Sequence, residues 1–273
     1  MSKQSYIEKG FIEVCKNRCP EQSEKLISDM NKRLAVLRKE TENESKAMKF
    51  HLESQILPGI ATYETLSAVM GKEQALAEIH RIVELHSLKM KKAVSKAARF
   101  AGMYKRFPKI FLKITQKTFG RDAGFDYKIY DTDKNTARLD MIKCPYHIMT
   151  VRYGCPELCV CFCDSDDTAY GDIHPKLRWH RTKTLGRGND CCDFSLSYKK
   201  PEKPTTADLT ASGSLYPYIN NSVKIHKSLY HDTYNHNKRK HPRTYLHTYS
   251  EPFTIFLLHT LTLLEQYILI IHR

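Results

Sequence analysis

Apolar residues recur at helical spacing through roughly the first hundred positions. Leu26, Met30, Leu34 and Leu37 fall three and four apart, and Met48, Leu52 and Ile56 continue the same kind of face. The charged stretch RKETENESK between them reads as exposed helical surface. Pro58-Gly59 interrupts the run, and Ile60, Tyr63, Leu66 and Met70 outline a shorter helix closed by Gly71. The longest stripe is Leu76, Ile79, Val83, His86, Met90, Ala93 and Ala97. His80 and His86 lie near it and read as packed or half-exposed side chains. Phe107-Pro108 opens one more short helix, carrying Phe111 and Ile114.

The period changes near Gly120. Phe125, Tyr127 and Ile129 alternate with Asp126, Lys128 and Tyr130 as in a half-buried strand, residues 131–135 are turn-rich, and Arg138–Ile142 fits the returning strand. Pro145 suits the first turn of a helix running to about Arg152, which Gly154 ends. A second short helix is expected from Glu157 to Cys163. Lys176–Thr184 reads as a strand, Gly186–Asn189 as a tight turn, and Cys191–Leu196 as the partner strand. The fold class is therefore α+β: a helical region (1–119), then a Cys-rich region with a small, mainly antiparallel sheet and short Cys-bearing helices (120–196), the two forming one domain. Residues 197–273 lose both periodicities and read as an irregular tail with a terminal apolar helix. That last run, 253–271, approaches the length of a membrane span. His259, Glu265 and Gln266 interrupt it, which favours a surface-packed helix over a tail anchor. A frameshifted or read-through tail is the third reading.

Charge and cysteine usage narrow the function classes. The net charge is +14, but the basic residues are scattered, with no arginine-rich stripe interleaved with aromatics, so no nucleic-acid partner is expected. The first twenty residues hold no apolar signal segment, and nine cysteines are an odd number. Both point to a reducing, cytoplasmic setting, where cysteines are thiols or ligands instead of disulfides.

Seven of the nine cysteines lie between Cys144 and Cys192, among the acids Asp164, Asp166, Asp167, Asp172, Asp190 and Asp193, with His174, His180 and the lone Trp179. This density suits a nucleophilic or metal site. On a helix, Cys155, Cys159 and Cys163 would share a face, and His174 or Cys192 would complete a tetrahedron, so a zinc- or iron–sulfur-binding module without catalysis is one reading. The spacing lacks paired CxxC knuckles and matches no common ferredoxin pattern. Buried, unreactive cysteines are the reading preferred for Cys159, Cys161 and Cys191. In the catalytic reading Cys163 ends a short helix just before Asp164, Ser165 and Asp166, while Cys192 stands on a strand next to Asp193. A carboxylate beside a thiol raises its pKa, so the acids serve better as proton-transfer or amidine-binding groups, and Arg178, Arg181 and Arg187 are available for a substrate carboxylate.

The block closely resembles the L-2-amino-thiazoline-4-carboxylic acid hydrolase family. The resemblance rests on Cys144-Pro145-Tyr146, Gly154-Cys155-Pro156-Glu157-Leu158 and Phe162-Cys163-Asp164-Ser165-Asp166. It continues through the strand after His174-Pro175, Arg181-Thr182-x-Thr184-Leu185 with Gly188, and Cys192-Asp193-Phe194. Upstream it reaches Leu57-Pro58-Gly59-Ile60-Ala61-Thr62-Tyr63, so it spans roughly residues 50–196 and omits the tail. It implies hydrolysis of a cyclic isothiourea, a cyclic amidine, to a carbamoyl-cysteine on a route to L-cysteine (cysteine biosynthesis). It also implies a small, amino-acid-like substrate and no required cofactor or metal, zinc being the alternative. Carried over position by position, the catalytic set is Cys163 (nucleophile or ligand), Asp166 (binding or protonating the amidine), His174 (proton shuttle) and Cys192. The substrate-binding set is Arg181 (carboxylate), Thr182 and Asp193. Membrane contact is expected only if the tail anchors. One catalytic site requires Cys163, Asp166 and Cys192 to face a single cavity.

Overall fold

The computed structural model describes residues 4–198. The expectations for 199–273, the irregular tail and its terminal apolar helix, lie outside the described residues.

Helix α1 (Tyr6–Arg18) starts at a capping box: Ser5 Oγ accepts from the Glu8 N–H and Glu8 Oε2 accepts from the Ser5 N–H. Helix α2 (Ser23–Glu40) buries the stripe Leu26, Met30, Leu34 and Leu37. Helix α3 (Lys46–His51), capped by Ser45, passes directly into a π-helical turn (Leu52–Ile56) and then α4 (Leu57–Met70). Pro58 sits in the first turn of α4, where its missing N–H costs nothing. Helix α4 is buried from Leu57 through Tyr63 on every side, as befits a helix apolar all round, and Gly71 ends it at φ 81°.

Helix α5 (Lys72–Arg99) is the long one. Its buried stripe is Ala75, Glu78, Ile79, Ile82, Val83 and Ser87. The sequence stripe runs along its edge: Ile79 and Val83 are fully buried, but Leu76 and Met90 are only half-buried. A kinked 3-10 segment (Phe100–Lys105) leads into α6 (Phe107–Thr118).

Four antiparallel strands follow in the spatial order β1-β2-β4-β3: β1 (Asp126–Ile129), β2 (Thr136–Lys143), β3 (Arg178–His180) and β4 (Cys192–Ser197). In β2 the inward side chains Ala137, Leu139 and Met141 alternate with exposed or half-buried ones. Register pairs Met141 with Cys192 and Leu139 with Phe194, which brings the CDF segment onto the inner edge of β2. Helix α7 (Pro145–Arg152) matches its expected bounds, and α6 covers β2 and β4.

Helix α8 (Leu158–Tyr170) departs from expectation. It does not stop at Cys163 but runs on through the acids, so Cys163 is mid-helix. Acids in a helix's C-terminal half oppose the macrodipole. Cations from neighbouring elements offset that: Asp164 meets His80 of α5 and Arg187, while Asp166 and Asp167 meet Arg181. Strand β3 is also shorter than the expected Lys176–Thr184. After His180 the chain turns into a loop braced by Asp193, which accepts from Thr182 N, Thr182 Oγ1 and Lys183 N (2.8, 2.5 and 2.5 Å). The helices and the sheet share one hydrophobic core that runs from Ile7 to Leu196. Phe162 of α8 lies so close to Gly59 of α4 that a Cβ there would come within 2.7 Å of its ring. That close approach packs α8 against α4, while α5 lies along its other contacts.

Candidate functional site

Helix α8 places Phe162, Cys163, Asp166, Ala169 and Tyr170 along a cavity of about 140 Å³. Those positions recur at three and four, which puts them on one helical face. The same cavity is lined by Cys192 and Phe194 of β4, Trp179 of β3, Arg181, Cys144, and residues of α3, α5 and α6. Cys163, Asp166, Cys192 and Arg181 therefore face one space. Thr182, Asp193 and His174 do not line it. Asp193 holds Thr182 and Lys183 as described above, a brace for the segment that presents Arg181. The His174 ring instead stacks on Tyr104 (centroids 4.5 Å apart, 10° between planes), and its Nδ1 accepts from the Lys176 N–H at 3.0 Å. The proton-shuttle role expected of His174 has no geometric support.

The sulfur of Cys163 is the electrostatic centre of the site. Cys159, one turn earlier on α8, has its Sγ 3.9 Å away. Gly186 packs against both sulfurs: a Cβ built there would stand 2.9 Å from Cys163 Sγ and 3.1 Å from Cys159 Sγ. Hydrogen bonds from the thiols of Cys159 and then Cys192 pull the Cys163 pKa below the ordinary thiol value; burial opposes this, and Arg181 and the Gly186 N–H add to the lowering. Among the three clustered thiols, ionisation is therefore favoured at Cys163. The two donors move the other way, each raised because its proton is committed to Cys163. The Leu185 N–H also donates to Cys192 Sγ at 3.2 Å. The turn from Thr184 to Gly188 therefore delivers successive backbone N–H groups to the two sulfurs. It is fixed by Thr184 Oγ1 accepting from Arg187 N (3.2 Å) and by the Arg187–Asp164 ion pair (2.6 Å).

Asp166 is the carboxyl of the site. Its side chain keeps 38 % of its surface accessible, yet it lies deep among protein atoms along the cavity it lines. Burial raises its pKa to about 7; Arg181 opposes the rise, and Cys163 and the neighbouring aspartates reinforce it. Arg181 is nearly sealed, with 3 % of its side chain exposed. It pairs with Asp167, stands 3.6 Å from Asp166 and lies over the Phe194 ring at 5.7 Å. Its Nη1 is buried with no hydrogen-bond partner, since 3.6 Å is too long for one. A buried donor left open costs about 1–3 kcal/mol, and an anionic ligand in the cavity would recover it.

The ligand readings of the cysteines fare differently. Cys155 precedes α8 and is buried near Glu64 and Glu157, away from the Cys163 group. Among the described residues no group of three or more His, Cys, Asp or Glu side chains is disposed to hold a metal ion. Among the same residues, no helix is long and apolar enough to cross a membrane.

Sequence reasoning missed several wall residues: Tyr6, His51, His86 and Tyr146. Tyr6 stacks on His86 at 3.8 Å and donates its hydroxyl to Gln55 in the π-helical turn. Tyr146 stood in the Cys144-Pro145-Tyr146 motif without a role, and His51 sat unremarked inside the apolar stripe Met48–Leu52. A polar side chain on a buried helix face was the available signal.

A cysteine whose ionisation its neighbours favour, a carboxyl poised near neutrality and a guanidinium nitrogen without a hydrogen bond around one small cavity form the equipment of nucleophilic catalysis on a small polar molecule. The family model described as L-2-amino-thiazoline-4-carboxylic acid hydrolase matches residues 49–196, just over half of the 273-residue chain. The chain belongs to that family. No curated protein matches it.

Proposed function

We propose that this chain is a hydrolase that opens the ring of 2-amino-thiazoline-4-carboxylate, or a close relative, by thiol catalysis. The observation that carries the reading is the grouping of Cys163, Asp166 and the Arg181 guanidinium, whose buried Nη1 makes no hydrogen bond, on one cavity. An apolar protein cavity of about 150 Å³ takes benzene, so about 140 Å³ suits one small ring. The substrate carboxylate binds Arg181 Nη1, and the amidine lies along Asp166. The Cys163 sulfur adds to C2, with electrons moving onto the amidine nitrogen. The ring sulfur then leaves with the Asp166 proton, giving an isothiourea bonded to Cys163 and an ionised Asp166. Water adds to that carbon, the C–S bond to Cys163 breaks, and the released proton returns to Asp166. The sum is substrate plus water giving a carbamoyl-cysteine. The hydrogen bonds that hold Cys163 ionised also make it a good leaving group in the second step.

The test uses the full chain with 2-amino-thiazoline-4-carboxylate, following the product by mass spectrometry and any new free thiol with a chromogenic disulfide. Product should appear with wild type, and Cys163→Ser should lower kcat by roughly a thousandfold or more. Turnover that survives Cys163→Ser would remove the thiol mechanism. Absence of turnover in wild type, with binding intact, would remove this substrate.

A further inference from the structure

Tyr146 and His51 come from elements that carry none of the groups used above. His51 closes α3, and Tyr146 stands in the first turn of α7, yet both line the cavity with Cys163 and Asp166. His51 is 1 % exposed and is ringed by Phe50, Phe119, Phe125 and Tyr146. Two hydrogen bonds fix its state. Nε2 lies 2.9 Å from the Thr118 carbonyl, which can only accept, so Nε2 carries a hydrogen. Nδ1 lies 3.2 Å from the Tyr146 hydroxyl. Burial holds the imidazole below its usual pKa, so it is neutral and Nδ1 is an acceptor. Tyr146 therefore donates to His51, and its remaining lone pairs are free to accept from a donor in the cavity.

This carbonyl–imidazole–hydroxyl chain has the logic of a serine-protease triad. An acceptor fixes the tautomer, the imidazole accepts the hydroxyl proton, and the hydroxyl oxygen meets the reacting molecule. Tyr146 differs from a nucleophilic serine in one respect: burial raises its pKa well above the usual phenol value, so it does not exist as a free phenolate. It can pass a proton on but not give one up permanently. In the thiol mechanism ionised Asp166 takes the proton released when the adduct collapses, and the Tyr146 hydroxyl, on the same cavity, offers a separate proton path where the water adds.

We propose that Tyr146, backed by His51, is the catalytic relay that activates the hydrolytic water, an assignment that rests on the Cys163 mechanism above. Water adds to the carbon bonded to Cys163 as its proton passes to Tyr146 Oη and the Tyr146 proton passes to His51 Nδ1. The new C–O bond forms while the C=N electron pair moves onto nitrogen. The His51 proton then returns through Tyr146 to that nitrogen. Collapse breaks the C–S bond, Cys163 leaves as thiolate, and the hydroxyl proton goes to Asp166. Tyr146 and His51 finish as they began.

The relay acts in the second half-reaction, so the experiment separates the halves. Full-length wild type, Tyr146→Phe and His51→Gln are mixed with 2-amino-thiazoline-4-carboxylate, quenched in acid over time and weighed intact, with the adduct mapped to Cys163. Tyr146→Phe should form the adduct at close to the wild-type rate and clear it about a hundredfold more slowly or worse, so that the adduct accumulates. His51→Gln should slow the same phase. Clearance within about threefold of wild type in both variants overturns the relay, since general acid–base groups contribute far more than that. Equal slowing of formation and clearance also overturns it, because a structural role would do that. Should Tyr146→Phe not fold, His51→Gln decides by the same two-phase reading. A wild type that turns over without ever forming a Cys163 adduct sinks the thiol mechanism and the relay with it. Normal adduct kinetics in both variants sink the relay alone.

Discussion

Replacing Gly186 with alanine drives a methyl group into the nucleophile. The added Cβ would lie 2.9 Å from Cys163 Sγ, 3.1 Å from Cys159 Sγ and 3.4 Å from the Cys159 carbonyl carbon. Comfortable carbon contacts begin at about 3.5–4.0 Å, so the turn must lift or the sulfur must move by about 0.5–1 Å. Gly186 is not in the left-handed region, unlike Gly188 at φ 81°, so alanine adds no backbone strain and the conflict is purely spatial. Helix α8 supplies both the sulfur and the carbonyl carbon, so the turn is the part that gives. Lifting it withdraws the Gly186 N–H from Cys163 and the Leu185 N–H from Cys192. Overpacking of this size costs about 1–3 kcal/mol of stability, and misplacing a reacting group by about 1 Å costs roughly a hundredfold in rate. The expected outcome is a soluble protein with a modest fall in melting temperature, a kcat about a hundredfold lower, and slower alkylation of Cys163 by iodoacetamide near pH 6. Unchanged kcat and alkylation beside a lowered melting temperature would refute the reasoning, since Gly186 would then matter only for packing.

Four further outcomes follow from the structure. Ile79→Ala, at a fully buried position on α5, should cost about 2–5 kcal/mol in urea unfolding, and Leu76→Ala, half-buried on the same helix, roughly half as much. Asp166 must be protonated to supply the leaving-group proton, so kcat should fall as pH rises through about 7, and Asp166→Asn should remove that limb along with most of the rate. The same raised pKa means that the stability the neutral Asp166 contributes is complete below the ordinary carboxylate range and is lost as pH rises through about 7, which a melting-temperature profile would show. Arg181→Lys keeps the charge but loses the fork and the Nη1 donor, so KM should rise by about tenfold with a smaller change in kcat; an unchanged KM would place the substrate carboxylate elsewhere.

The fold was legible where one physical signal dominated. The stripe Leu26–Leu37 appears as the buried face of α2, the strand pair expected over 125–142 as β1 and β2, though Ile129 is exposed and only β2 keeps the alternation, and Pro145 as the start of α7. The misreadings share a cause. The sequence predicts a helix ending at Cys163, whereas α8 runs on through the acids, and the cations that make them tolerable there come from Arg181, Arg187 and His80, far along the chain. The stripe on α5 was rotated slightly because small residues such as Ala75 and Ser87 carry little hydropathy but sit deepest against the neighbouring helices.

The site divides along the same line. Motif residues show that chemistry is present; only tertiary distance shows which of them meet. Cys163, Asp166, Arg181 and Cys192 converge because α8 lies beside the strand that pairs with β2, whereas His174, as suggestive in sequence as any of them, is spent on Tyr104. The acidity of Cys163 was not readable at all. The nearby acids argued for a raised pKa, and the lowering comes from two other thiols and a backbone N–H. Cys159 and Cys192 thus act on Cys163 through hydrogen bonds that favour its ionisation over their own. Their value therefore depends on hydrogen-bonding capacity and not on volume alone. Cys159→Ala should leave Cys163 with one thiol donor fewer, raise its alkylation pKa and slow turnover near neutrality. Cys159→Ser, which keeps a donor in nearly the same place, should recover part of both. Equal behaviour of the two variants would mean that Cys159 merely fills space, as the sequence first suggested.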